Sequence, residues 1–217
     1  MKDIFEILKN NSLFIGIGIE DFYKILSCIG AQIKSYRRGD VVFFSGNLVS
    51  EVGLVLSGRV KVMREAADGN SNILTELYES EMFGETFACA GIDHIPVTVL
   101  AAEDCEILFL NYRKIIGTCA SSCAFHTKLI ENMLMLLAQK NLFLNRKIEI
   151  LSKRSTRERL LLFFDLQRGV SGKFTIPYNR EELAAMLCVE RSAMSAELSR
   201  MQADGLIRFQ KNEFELL

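Results

Sequence analysis

No hydrophobic run in this chain approaches the ~18 to 20 residues that span a bilayer, and Lys2, Asp3, Glu6 and Lys9 interrupt the N-terminus where a signal peptide would lie. The two absences predict a cytoplasmic protein with no membrane partner. Histidine is scarce, with only His94 and His126. A cupin-like enzyme built on a β-roll needs two or three strand histidines to hold a metal, so no enzymatic activity is expected. Low-complexity tracts and internal repeats are missing. Charge of one sign is missing too: the net charge of the 217 residues is −1. Split by region, residues 1–152 hold 15 Lys/Arg against 18 Asp/Glu, whereas residues 153–217 hold 11 against 9. The C-terminal excess is small, and any nucleic-acid reading must rest on a motif.

That motif occupies the last forty residues. Asn179 is a good N-cap, and Glu182 three residues on completes a capping box. Leu183, Met186 and Leu187 give the helix an apolar face, and Cys188-Val189-Glu190 form a turn. A second helix starts at Arg191 and buries Met194, Leu198 and Met201. Its other face carries Arg191, Ser192, Ser195, Ser199 and Arg200, and Gly205 stops it. Leu206–Phe209 and Phe214–Leu216 then read as a β-hairpin wing. Short hydroxyls between two arginines on an exposed helix suit a reader of the DNA major groove.

Upstream, residues 2–30 read as two short helices. From Gln32 the apolar period becomes 2, with glycine-bearing turns at Gly39, Gly46, Gly58 and Gly69, which indicates an antiparallel barrel or jelly roll. After Tyr112 the period returns to 3.6. Ile130, Leu134, Leu137, Asn141, Leu144, Ile148 and Leu151 then follow a strict 4-3 alternation, with Leu134, Asn141 and Ile148 at a and the rest at d. Such a seam favours a parallel two-stranded coiled coil, and a lone central Asn fixes its register. The alternative is a helix buried on its own barrel, with Asn141 touching a strand. Lys153 to Arg157 form a polar hinge. The expected organisation is α+β: an effector-sensing β-roll domain with N-terminal helices over 1–125, a dimerisation helix over 126–152 and a winged helix-turn-helix over 153–217.

This arrangement resembles the Crp–Fnr superfamily of bacterial transcription regulators. The residues that carry the resemblance are Gly39-Asp40, Leu56-Ser57-Gly58-Arg59-Val60-Lys61-Val62, Phe83-Gly84-Glu85, Arg157-Glu158-Arg159-Leu160 and the motif from Asn179 to Gly205. It implies a homodimer on a two-fold symmetric double-stranded DNA operator, with a small-molecule effector in the cyclic-nucleotide-binding-like roll and RNA polymerase as a further partner. It also implies base reading by Arg191, Ser192, Ser195 and Ala196, of which Arg191 suits a bidentate guanine contact. Asn179, Arg180, Ser199, Arg200, Arg208 and Lys211 would contact phosphates. Ser192 and Ala196 depart from the glutamate and arginine of many relatives, so known half-sites do not transfer. Glu190 would accept a cytosine amino proton or serve the helix dipole.

The effector site departs further. Gly84 and Glu85 match a pair that holds the ribose in cyclic-nucleotide binders, or else form a turn with a capping acid. The Arg-Ser pair that binds the cyclic phosphate is replaced by Ile95-Pro96, neither of which can bind an anion through its side chain. Leu144-Asn145 occupy the purine-contacting positions. Glu85, Thr98, Asn141 and Asn145, with His94 alongside, would surround another effector, whose shift of the seam would turn the two winged helices relative to half-sites ~34 Å apart. Fnr-type iron–sulfur sensing also fails, because only Cys28 precedes residue 89. Six cysteines in a cytosolic chain are expected reduced. Cys119, Cys123 and His126 share a helix face and could converge on a metal, or could pack as small hydrophobes, the reading the zinc spacings favour. No metal and no resident cofactor are expected. A different class of function keeps the same fold: a regulatory ligand-binding module whose winged helix contacts protein.

Overall fold

A computed structural model describes residues 3–65, 71–117, 124–168 and 172–217. They form two compact units, divided between Ala138 and Gln139 inside a long helix.

The first unit opens with α1 (Ile4–Leu8), capped by the Asp3 carboxylate on the Phe5 amide, and α2 (Ile19–Cys28), which buries Phe22, Ile25 and Leu26. Eight strands follow: β1 (Gln32–Tyr36), β2 (Val41–Phe43), β3 (Glu51–Ser57), β4 (Val60–Glu65), β5 (Ser71–Leu77), β6 (Met82–Phe83), β7 (Thr98–Ala101) and β8 (Cys105–Asn111). They pair antiparallel in two sheets, β1-β8-β3-β6 and β2-β7-β4-β5, the β-roll that the glycine-punctuated alternation indicates. Short helices α3 (Glu85–Ala90) and α4 (Tyr112–Ile116) complete it.

Two apolar layers explain the strand sequences. Val52, Leu54, Leu56, Leu108 and Leu110 face the helices. Val55, Phe83, Val99, Ile107 and Phe109 fill the space between the sheets. Because β3 is covered on both sides, Val52 to Leu56 is buried without interruption, as a strand with two apolar faces requires. Gly58 allows the roll to close at its turn: its φ is +74°, and a Cβ there would lie 2.3 Å from the Asp104 carbonyl oxygen.

The long helix α5 (Ala124–Leu151) begins in this unit. Its early face buries Leu129, Met133 and Leu136 against the roll's helical layer. Asn132 sits among them and donates both amide protons, to the Leu13 and Ile15 carbonyls at 2.9 Å each. The polar side chain that fastens this helix within the first unit is Asn132.

In the second unit, α6 (Thr156–Gln167), α7 (Arg180–Leu187) and α8 (Arg191–Ala203) surround Leu160, Phe163, Leu183, Leu187, Met194, Leu198 and Met201. The expected hairpin is present as β10 (Ile207–Gln210) and β11 (Glu213–Leu216), but β11 also pairs with β9 (Lys173–Thr175), so the wing is a three-stranded sheet. Three residues give no readable period. Phe174 fixes the strand by stacking on Phe214, ring centroids 5.9 Å apart and nearly parallel.

Candidate nucleic-acid interface and effector site

The helix-turn-helix begins as the sequence reading requires. Asn179 Oδ1 accepts from the Glu181 and Glu182 amides, and the Glu182 carboxylate accepts from the Asn179 amide at 2.7 Å. The turn is shaped at Cys188, which does not pack inside. It is exposed, has a left-handed φ of +50°, and directs its thiol to the Ala185 carbonyl. Arg159, from α6, donates to the carbonyls of Leu187 at 3.0 Å and Cys188 at 3.3 Å, and its Nε donates to the Lys153 carbonyl. One guanidinium thus satisfies the orphan carbonyls at the end of α7 and ties down the chain before α6.

On α8, Arg191, Ser192, Ala196, Ser199 and Arg200 are exposed and Ser195 is half-buried. Ser195 Oγ donates to the Arg191 carbonyl and Ser199 Oγ to the Ser195 carbonyl, leaving their lone pairs outward. Ser192 Oγ donates to Glu190, which is the N-cap of α8 and also accepts from the Ala193 amide. The Ser192 hydroxyl, then the Ala193 and Ser192 amides, hold the Glu190 carboxyl below its usual range. In the free protein Glu190 serves the helix start, the second of its two expected roles.

Asn179, Arg180, Arg191 and Lys211 line one open cleft of about 880 Å³ between the start of α7 and the turn of the wing. Arg180 does more than line it. Its guanidinium lies 5.1 Å from the ring centroids of both Phe209 and Phe214, and it donates to the Lys211 carbonyl at 2.9 Å. This arginine fastens the wing turn, where Lys211 itself has φ +53°. Arg208 and Lys211 are exposed on the wing. Arg200 pairs with Glu197, 2.7 Å away. The reading of the sequence passed over Glu197, although a charge between buried Met194 and Leu198 was its visible signal.

In the roll, Gly84 is the left-handed N-cap of α3 and Glu85 its buried first residue, accepting from Thr86 Oγ1 at 3.0 Å. A Cβ on Gly84 would lie 3.0 Å from the Phe43 ring and 3.2 Å from the Glu51 carbonyl. Ile95 is buried, its amide bonded to the Asn47 carbonyl and its carbonyl to the Gly46 amide. Pro96 is exposed, and Thr98 Oγ1 accepts from the Ser45 amide. His94 Nδ1 lies 2.5 Å from the Gly46 carbonyl, so that nitrogen carries the proton. Asn141 and Asn145 belong to the second unit, where Asn145 donates to Asn141 Oδ1 at 2.9 Å.

Along α5, Leu134, Leu144 and Ile148 are 63%, 55% and 65% exposed. Asn141 is also exposed, whereas Ile130, Leu137 and Leu151 are half-buried.

Comparison with known proteins matches residues 33–122 to the cyclic nucleotide-binding domain and residues 158–217 to the Crp-like helix-turn-helix domain. The chain belongs to the Crp–Fnr superfamily of transcription regulators. It is 27% identical to the cyclic AMP receptor protein of Thermus thermophilus, over 93% of this chain and 90% of that one. It is 27% identical to a CRP-like cAMP-activated global transcriptional regulator of Mycobacterium tuberculosis, over 82% and 81%. The crystal structure of the Thermus thermophilus catabolite activator protein superposes with a TM-score of 0.56 at 25% identity, covering 95% of this chain and 93% of that one.

The family is one of regulators and not of enzymes. Among the described residues no group of His, Cys, Asp and Glu could hold a metal, and no helix is long and apolar enough to cross a membrane. Cys119 and Cys123 lie outside the described residues. Their expected companion His126 is buried, with no hydrogen-bond partner on Nδ1. Burial pushes the Cys89 and Cys105 thiols up, which keeps them protonated and unreactive near neutrality.

Proposed function

We propose that this chain is a homodimeric, sequence-specific DNA-binding transcription regulator that acts in the cytoplasm, contacts RNA polymerase and responds to a small molecule other than a cyclic nucleotide. The observation that carries the DNA reading is the exposed face of α8 beside the cleft that collects Asn179, Arg180, Arg191 and Lys211. Arg191, Ser192, Ser195 and Ala196 read base edges, while Asn179, Ser199, Arg200, Arg208 and Lys211 take phosphates. Arg180 is assigned the same phosphate role, from a half-buried guanidinium that lies against the Phe209 and Phe214 rings and already donates to the Lys211 carbonyl. The exposed apolar stripe of Leu134, Leu144 and Ile148, broken by Asn141, supports a two-stranded seam. The regions 1–125, 126–152 and 153–217 act as sensor, dimer helix and reader. Ile95 and Pro96, where cyclic-nucleotide binders carry their phosphate pair, support a different effector, held by Gly84, Glu85 and Thr98 in the roll.

The test is a selection from random duplexes of ~30 base pairs with purified, reduced protein near ~0.15 M salt, where specific binding stands clear of the electrostatic background. Enrichment of a palindrome is expected. Salt-sensitive binding without enrichment would mean that the free protein waits for its effector. Absence of binding even at low salt would transfer the winged helix to protein contacts.

A further inference from the structure

Glu197 sits on the inward side of α8 with its side chain only 11% exposed. A carboxylate removed this far from water is costly unless paired. It has two partners from different directions. Arg157, in the first turn of α6, places Nε 2.5 Å from Oε1, and Arg200, one turn further along α8, places a terminal nitrogen 2.7 Å from Oε2. Arg157 is steadied from behind by Asp204 at 2.7 Å. Well-packed apolar residues would serve stability as well as such a cluster does, so its geometry points to use.

The two guanidinium groups, with Glu197 between them, line a cleft of about 410 Å³ completed by Ser155, Thr156 and Ala193. Ser155 and Thr156 open α6, a twelve-residue helix whose start is already closed by a capping box. Ser155 Oγ accepts from the Glu158 amide at 3.2 Å, and the Glu158 carboxylate accepts from the Ser155 amide at 3.0 Å. The positive lining of the cleft is therefore that of the two guanidinium groups. Arg200 remains 65% exposed on the helix that presents Arg191 and Ser192.

We infer that Glu197 is a positioning residue that holds Arg157 and Arg200 as a fork for one backbone phosphate of bound DNA. The inference rests on the DNA-binding reading above, and the sign of a single substitution tests it. Removing a negative charge beside a polyanion should, by charge alone, tighten binding and steepen its salt dependence. Releasing the fork does the opposite. Full-length Glu197→Gln is therefore expected to bind a random-sequence duplex of ~30 base pairs about tenfold more weakly, with a salt slope shallower by about one.

Arg200→Gln should lose about as much, and the double variant little more than either single one, because both act on one fork. Arg157→Gln, which leaves Glu197 paired to Arg200, should reproduce part of the loss and guards against a folding defect specific to Glu197→Gln. Thermal melts of each variant identify the folded proteins to be compared. Tighter binding by Glu197→Gln, or additive losses in the double variant, would overturn the inference while leaving DNA binding standing. Failure of the wild-type protein to bind duplex DNA at low salt would overturn both.

Discussion

Cys188 shows how one residue can sit in a conformation suited to another. At φ +50° its Cβ crowds the backbone, a strain on the order of 1 kcal/mol that glycine does not carry. The site tolerates it because Arg159 grips the Leu187 and Cys188 carbonyls from α6. Cys188→Gly keeps that grip and relieves the strain, against the greater freedom of glycine in the unfolded chain. The net expectation is a gain of about 0.5 kcal/mol, seen by calorimetry as a small rise in the melting temperature of the C-terminal unit. A fall would show that the thiol contact to Ala185 outweighs the strain. At this same scale the sequence was partly readable. Asn179 and Glu182 announce their capping box because both partners lie within one turn. Glu197 does not announce Arg157, because the two are forty positions apart and only folding joins them.

Elements were readable where a period runs long enough. The roll strands show through their spaced glycines, and α8 through Met194, Leu198 and Met201. β9, at three residues, carries no strand period, and α3 no helical one, because six residues after Gly84 make less than two turns. In α5 the sequence carries two messages at once. Leu129, Met133 and Leu136 pack on the roll, while Leu134, Leu144 and Ile148 stay exposed on another face. The 4-3 pattern picked out the second set, and Asn132, which anchors the first, left no periodic trace. If the exposed face pairs with a second copy, placing a charge in it should be decisive, since a buried unpaired carboxylate opposes association strongly. Ile148→Asp is expected to convert a dimer to a monomer at micromolar concentration in sedimentation, and to cost at least about 100-fold in affinity for a palindromic duplex. An unchanged sedimentation coefficient would remove this face from the dimer seam.

At the scale of the whole molecule, charge said little and composition said less. The near-neutral total hides an acidic roll and a mildly basic reader. What the molecule senses turns on a few positions in the roll. Two relatives carry cyclic AMP in their names, yet the loop here is closed around Ile95, whose amide and carbonyl are both bonded to the segment at Gly46–Asn47. An arginine introduced at that position would drive a guanidinium toward a sealed interior and destabilise the roll instead of creating an anion site. The natural chain is correspondingly expected to ignore cyclic AMP. A nucleotide bound with micromolar affinity and supplied at a thousandfold excess would add about 4 kcal/mol to the stability of the unit that holds it. In a unit of this size that is a rise of roughly 10 °C. A thermal melt of the full chain with millimolar cyclic AMP should show no displacement of the roll transition. A rise of several degrees would mean that the phosphate finds a cation from elsewhere in the chain, and would return cyclic nucleotides to the list of effectors.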